Sequence, residues 1–198
     1  VWDKLFRFFF AAFTRIFGMR AAVKLMGLPQ KKIRGYDTAI SFLHSGREKV
    51  FYGGCNEFVL DFTEAQQKIT FVHCDFEKIG AVSKENRKIY SRFDRIAACS
   101  EGCKISLLRC FPELSQKTCV VRNCQNYNEI RYLAQTHPEK FDQSRFNILT
   151  VARFGKEKGI LRAIKAVLGA CDDFDNINYY IIGDGAQSRQ AEMFVSDS

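Results

Sequence analysis

The chain has 198 residues, 46% of them hydrophobic, and a mean hydropathy of -0.20, which excludes a disordered segment and fits one full domain or two incomplete ones. Its net charge of +8 is unevenly placed: residues 1–34 carry eight Lys/Arg against Asp3 alone, while the remainder sums to +1. Eight cysteines without a Cys-x-x-Cys pair, and no histidine at zinc-ligand spacing, argue against a metal site. With no cleavable signal peptide visible, the thiols are expected to be reduced, as in the cytosol.

Residues 1–17 predict a helix. Asp3, Lys4, Arg7, Thr14 and Arg15 form its narrow polar edge, and Trp2, Leu5, Phe6, Phe8, Phe9, Phe10, Phe13, Ile16 and Phe17 cover the rest. Arg7 and Arg15 interrupt the apolar run, so a membrane-spanning anchor of about 20 residues is disfavoured. A packing helix and a helix lying on an anionic membrane remain, and cations beside Trp and Phe favour the second. Gly18 ends or bends this helix, and Ala21–Leu28 continues it as far as Pro29.

Strands are expected at Thr38–Leu43, ending at His44, at Lys68–Asp75, at Arg95–Cys99 and at Thr118–Arg122. Residues 45–56 read as a loop, and Phe58–Glu64 is ambiguous. Helical spacing covers Lys84–Phe93, and Ser100 reads as the N-cap of a helix that Pro112 ends. Cys99 and Cys119 sit in apolar runs, as small hydrophobes would. Residues 124–146 are polar, with a short helix near Asn128–Ala134 and a turn at His137-Pro138, and suit a connection between two α/β units. Asn147–Val151 and Tyr179–Ile182 are two further strands. Strands alternating with helices at this spacing predict a parallel α/β architecture.

The chemistry concentrates at strand ends. Arg153 and Lys158 follow the strand at Val151 and precede a helix opening at Gly159, so two cations and free helix N–H groups suit a diphosphate. Gly183-Asp184-Gly185 follows the next strand, where glycines let backbone approach a ligand. A solvated basic turn and glycines needed only for backbone shape are the alternatives. His73, at a strand's carboxyl end, suits hydrogen bonding to a substrate hydroxyl or proton transfer, or is a polar strand cap. Asp75 suits an Asx-type loop bond better than metal coordination. Neither a Gly-x-Gly-x-x-Gly fingerprint nor the phosphate-loop motif Gly-x-x-x-x-Gly-Lys-Ser/Thr is present, which lowers the prospects of a dehydrogenase or phosphate-loop enzyme.

Val151-Ala-Arg153-Phe-Gly-Lys-Glu-Lys158-Gly with Tyr180-Ile-Ile-Gly183-Asp-Gly resembles the nucleotide-sugar half of family-four glycosyltransferases, retaining enzymes built from two Rossmann-like domains (the GT-B fold). Tyr36-Asp-Thr-Ala-Ile-Ser-Phe, Ile69-Thr-Phe-Val-His73-Cys-Asp75, Phe93-Asp-Arg-Ile-Ala-Ala-Cys-Ser100-Glu and Cys119-Val-Val-Arg-Asn123 match upstream, in order, so the resemblance covers about residues 36–190. It implies an acceptor-side domain in residues 1–124, with residues 1–34 as its basic amphipathic part. A connection follows at 125–146, and the start of a nucleotide-sugar domain at 147–198.

The resemblance further implies transfer of a hexose from a nucleoside-diphosphate sugar to a glycan or lipid-linked precursor of a cell-surface polysaccharide or lipopolysaccharide. Arg153 and Lys158 would hold the diphosphate and stabilise its departure without a metal ion or other cofactor. Gly183, Asp184 and Gly185 would lie against the nucleotide, and His73 would face the donor sugar. Residues 1–34 would dock on the cytoplasmic face of the cell membrane, and no nucleic-acid partner is expected. The family's first strand, its glycine-rich loop and its Glu-x7-Glu signature are not in this sequence, and Cys124-Gln-Asn126 departs from its pattern. The chain opens inside one helical pattern and closes inside another, so a piece of a longer enzyme, inactive alone, is expected. A nucleotide-sugar epimerase of the same fold and a non-catalytic membrane-surface protein are the competing readings.

Overall fold

A computed structural model describes residues 2–136 and 138–196. The chain divides into two compact units, Val1–Gln125 and Asn126–Ser198. His137, half of the expected turn at His137-Pro138, lies outside the described residues.

The first unit is a four-stranded parallel sheet in the order β1-β2-β3-β4, with β1 at Ile33–Ser41, β2 at Thr63–Val72, β3 at Arg95–Ala98 and β4 at Thr118–Val120. Its helices are α1 (Trp2–Phe17), α2 (Met19–Gly27), α3 (Cys55–Phe62), α4 (Lys84–Ser91) and α5 (Glu101–Cys110). The core forms where β2 and β3 meet α4, α5 and the 3-10 turn at Pro112–Lys117. Val72, Phe76, Tyr90, Ile96, Leu107, Phe111 and Leu114 are all buried there. Phe76 stands edge-on to Tyr90 at 5.3 Å and to Phe111 at 5.5 Å, the geometry aromatic quadrupoles favour. Ser100 caps α5 by accepting from the Cys103 N–H, and Ser83 caps α4 by accepting from the Asn86 N–H.

The ambiguous stretch at Phe58 resolves as a helix, because Asn56, Glu57, Val59 and Leu60 share a buried side at helical spacing. The expected loop is therefore shorter, and α3 starts at Cys55. Both β1 and β2 begin five residues before their apolar runs. Their opening halves are largely exposed and polar, so hydrophobic alternation does not mark them. Cys119 is exposed on β4 rather than buried.

α1 differs from its expected orientation in one respect. Thr14, read as part of the polar edge, is fully buried beside Phe10, and Phe10 packs over Phe51 at 6.0 Å. Leu5, Phe6, Phe8, Phe9, Ile16 and Phe17 remain exposed. α2 is tied to its neighbours by charge: Arg20 lies 3.6 Å from Asp61 on α3 and 3.3 Å from Glu85 on α4, and Arg92 reaches Asp61 at 2.8 Å. No helix among the described residues is long and apolar enough to cross a membrane.

The second unit pairs β5 (Phe146–Val151) with β6 (Ile177–Ile182) in parallel, accompanied by α6 (Tyr127–Thr136), α7 (Ile160–Cys171) and α8 (Ser188–Ser196). Its core is small: Phe154, Ile160, Ile164 and Ala191, with Tyr179 and Ile181 against them.

Candidate functional site

In the second unit the loops after β5 and β6 are bonded into one layer. The Ala152 N–H donates to the Ile182 carbonyl (3.0 Å), the Phe154 N–H to the Asp184 carbonyl (2.8 Å), and the Gln187 N–H to the Phe154 carbonyl (2.9 Å). A Cβ on Gly183 would run into the Ala152 carbonyl, and one on Gly185 would lie 2.9 Å from the Phe154 backbone nitrogen. Glycine is therefore required here by the neighbouring loop, whatever a ligand adds. The Asp184 carboxylate turns into its own loop, accepting from the Gly185 N–H (2.6 Å) and the Ser188 hydroxyl (2.8 Å). The Ser188 bond first, then the Gly185 bond, hold its pKa below the usual carboxylate value.

Arg153 and Lys158 emerge from this layer. Phe154, between them, is buried and anchors the loop in the core. Arg153 is 80% exposed and reaches Glu157 at 3.4 Å, an exposed i,i+4 pair worth about 0.3–0.5 kcal/mol and so easily exchanged for an anion. Lys158 is exposed and has no ion pair among the described residues. Gly159, at φ +69°, opens α7, whose first turn has no acid and no side-chain cap. The Gly159 and Arg162 N–H groups donate to the Lys156 and Gly159 carbonyls, while those of Ile160 and Leu161 have no partner among the described residues, and the positive dipole end favours an anion. Arg153, Lys158 and the Gly183–Gly185 turn thus share the carboxyl edge of one parallel pair of strands, the edge where open α/β sheets bind ligands.

His73 belongs to the first unit and directly follows β2. Its ring stacks on Phe71 (5.7 Å, 11°) and lies 4.6 Å from Phe42, and its Nε2 is buried without a hydrogen-bond partner. Asp75 locks the next turn, accepting from the Ser106 hydroxyl (2.6 Å) and the Lys78 N–H (3.2 Å). Those two bonds, Ser106 first, bring its pKa down to about 2. Cys74 lies between them, and burial, then Cys103 and Cys99, push its thiol up to about 12. The Sγ atoms of Cys99 and Cys103 are 3.5 Å apart as free thiols. Among the described residues no group of three His, Cys, Asp or Glu is placed to hold a metal ion.

Two residues of this unit carry no motif and were missed by pattern reading. His44 has a buried, unpartnered Nδ1, and Glu57 is 4% exposed with an unpartnered Oε2. Burial raises the pKa of Glu57. A hydrogen bond to its own backbone opposes that, Asp61 and Glu85 add to it, and Arg20 reduces it. Only the position of His44 at a strand end, on the same edge as His73, could have drawn attention to it.

No family model and no curated protein matches this chain. Among solved structures, an apo structure of OtsA is similar over 90% of this chain and 46% of its own, at 15% identity and a TM-score of 0.53. A point mutant of S. aureus TarM, in complex with Fondaparinux, alpha-GlcNAc-glycerol and UDP, is similar over 69% of this chain and 27% of its own, at 15% identity and a TM-score of 0.48. The chain spans less than half the length of either. Its two parallel α/β units each match part of a GT-B fold.

Proposed function

We propose that this chain is part of a retaining glycosyltransferase of family four, one that moves a hexose from a nucleoside-diphosphate sugar to a glycan or lipid-linked acceptor in cell-surface polysaccharide synthesis. The observation that carries this reading is the bonded layer of two loops in the second unit. It presents Arg153, Lys158 and the open start of α7 along one edge. Guanidinium, ammonium and backbone N–H groups together match a diphosphate and would stabilise the charge that builds as it leaves. In this reading these groups replace a divalent ion, so chelation should not affect transfer. His73 would hydrogen-bond a sugar hydroxyl or assist proton transfer.

The same reading places the protein peripherally on the cytoplasmic face of the cell membrane. The exposed apolar face of α1 and the net charge of +7 over residues 1–34 support it. Vesicles containing anionic lipid should sediment with the protein, and neutral vesicles far less.

Calorimetric titration with UDP, GDP and ADP tests the site itself. One of them should bind, and Arg153→Ala or Lys158→Ala should each weaken binding by about tenfold or more. If none of the three bound, the reading would be overturned.

A further inference from the structure

Of the eight cysteines, Cys99 and Cys103 stand sulfur to sulfur, with their Sγ atoms 3.5 Å apart and both thiols free. The function proposed above uses neither of them. Cys99 directly follows β3, and Cys103 lies in the first turn of α5. Both are half-buried, and Ser100, Glu101 and Gly102 between them are exposed, so a small reagent can reach the pair from solvent.

Backbone bonds, not the thiols, set this contact. The Cys99 N–H donates to the Val72 carbonyl (3.0 Å), which ties it to the end of β2. The Ser100 hydroxyl accepts from the Cys103 N–H (3.2 Å), and the Lys104 N–H donates to the Ser100 carbonyl (3.0 Å). The N-cap thus folds the chain so that two residues four apart meet. A disulfide bond is about 2.0 Å long, so the sulfurs need to approach by about 1.5 Å, a displacement on the scale of side-chain rotation. A role as a small apolar filler explains either cysteine alone, but not two half-exposed thiols in contact at a capped helix start.

The two thiols differ in their surroundings. Burial, then the hydrogen bond with Cys103, raises the pKa of Cys99. Cys103 stands beside the positive end of the α5 dipole. Cys103 is therefore the attacking sulfur, and Cys99 the one that completes the exchange.

We propose that Cys99 and Cys103 form a reversible dithiol–disulfide site whose oxidant is a low-molecular-weight disulfide. Cys103 gives up its proton and attacks one sulfur of that disulfide, forming a mixed disulfide, and the released thiolate takes up a proton. Cys99 does the same at the Cys103 sulfur, displacing the second small thiol and leaving the Cys99–Cys103 bond. Two protein thiols are oxidised and one small disulfide is reduced to two thiols, so atoms and electrons balance. The closing step is intramolecular, so the mixed disulfide does not accumulate. So short a ring gains little from loop entropy, and a small thiol reopens it, which makes the bond a switch rather than a brace. α5 also carries Ser106, which donates to Asp75 (2.6 Å) and accepts from the Glu77 N–H (3.2 Å), so this helix holds the turn that follows His73. Fixing the first turn of α5 to the end of β3 stiffens the support of that turn. The site stands on the geometry of the first unit alone and is independent of the glycosyl-transfer reading.

Trypsin, cutting after Arg95 and Lys104, places both cysteines in one peptide, 96–104. The folded chain is incubated with oxidised glutathione, blocked with iodoacetamide and digested. That peptide should emerge unalkylated and lighter by a pair of hydrogens, and dithiothreitol should reverse the change. Cys99→Ser should instead leave one glutathione on Cys103. Exchange of the Glu77 amide should slow about threefold or more in the oxidised protein. A 96–104 peptide alkylated at both cysteines, while the exposed Cys119 carries glutathione, overturns the proposal. So does a bond from either cysteine to Cys74, or a Cys103 left free in the folded Cys99→Ser protein. An unchanged Glu77 rate overturns the stiffening.

Discussion

The two units use their sequence differently. In the first, β3 is buried along most of its length, and eight buried residues form one continuous core. In the second, no residue of β5 or β6 is fully buried, Val151 is 69% exposed, and α6 has no buried residue. A two-stranded pair is marginal without packing from helices, so this unit relies on α7, α8 and the bonded loop layer. The first unit is held by its interior, and the second by the same loops that present its charged groups.

Substitutions sharpen this contrast. Phe76→Ala should have the largest effect, about 3–5 kcal/mol, because it empties the centre of the first core. Amide exchange should show protection lost across β2 and β3 while the second unit keeps its own. Gly183→Ala should cost about 3 kcal/mol through collision with the Ala152 carbonyl and a φ of +152°. Its exchange pattern should be the mirror image, with the second unit opened and the first intact; unchanged protection there would break the comparison. Asn56→Ala should cost about 2 kcal/mol, since it strands the hydroxyls of Ser45 and Thr70. A thermal melt measures that loss.

Glu57→Gln should produce the smallest change, and one of opposite sign. The unfolded chain releases this proton near 4.5, whereas burial makes the folded protein hold it to higher pH. The wild-type residue therefore costs stability as pH rises above that value. Glutamine removes the cost, so the gain in Tm should be larger at pH 8 than at pH 4. An equal gain at both would show that Glu57 is not strained by ionisation.

Much of this architecture was legible in the sequence, because β3, the end of β2 and α5 carry apolar runs and caps that match their final places. Ser100 was readable as a cap from its residue type alone. The opening halves of β1 and β2 were not, since exposed strand segments carry no alternation for pattern reading to find. Thr14 misled for a related reason: a small hydroxyl suits a polar edge and a tight helix contact equally. In the second unit Arg153, Lys158 and the glycines could be placed on one edge from order alone. His44 could not be singled out, because its interest lies in a missing partner, and absent hydrogen bonds leave no trace in a string of residues.

The collision that a side chain at Gly183 or Gly185 would cause has a consequence for comparing sequences. Those glycines are demanded by the backbone of the loop beside them, so a descendant that had lost all activity would still keep them for the sake of folding. The solvent-facing cations at 153 and 158 have no such protection. In a set of related chains, drift at those two positions beside an intact glycine pair would be the signature of a retired enzyme.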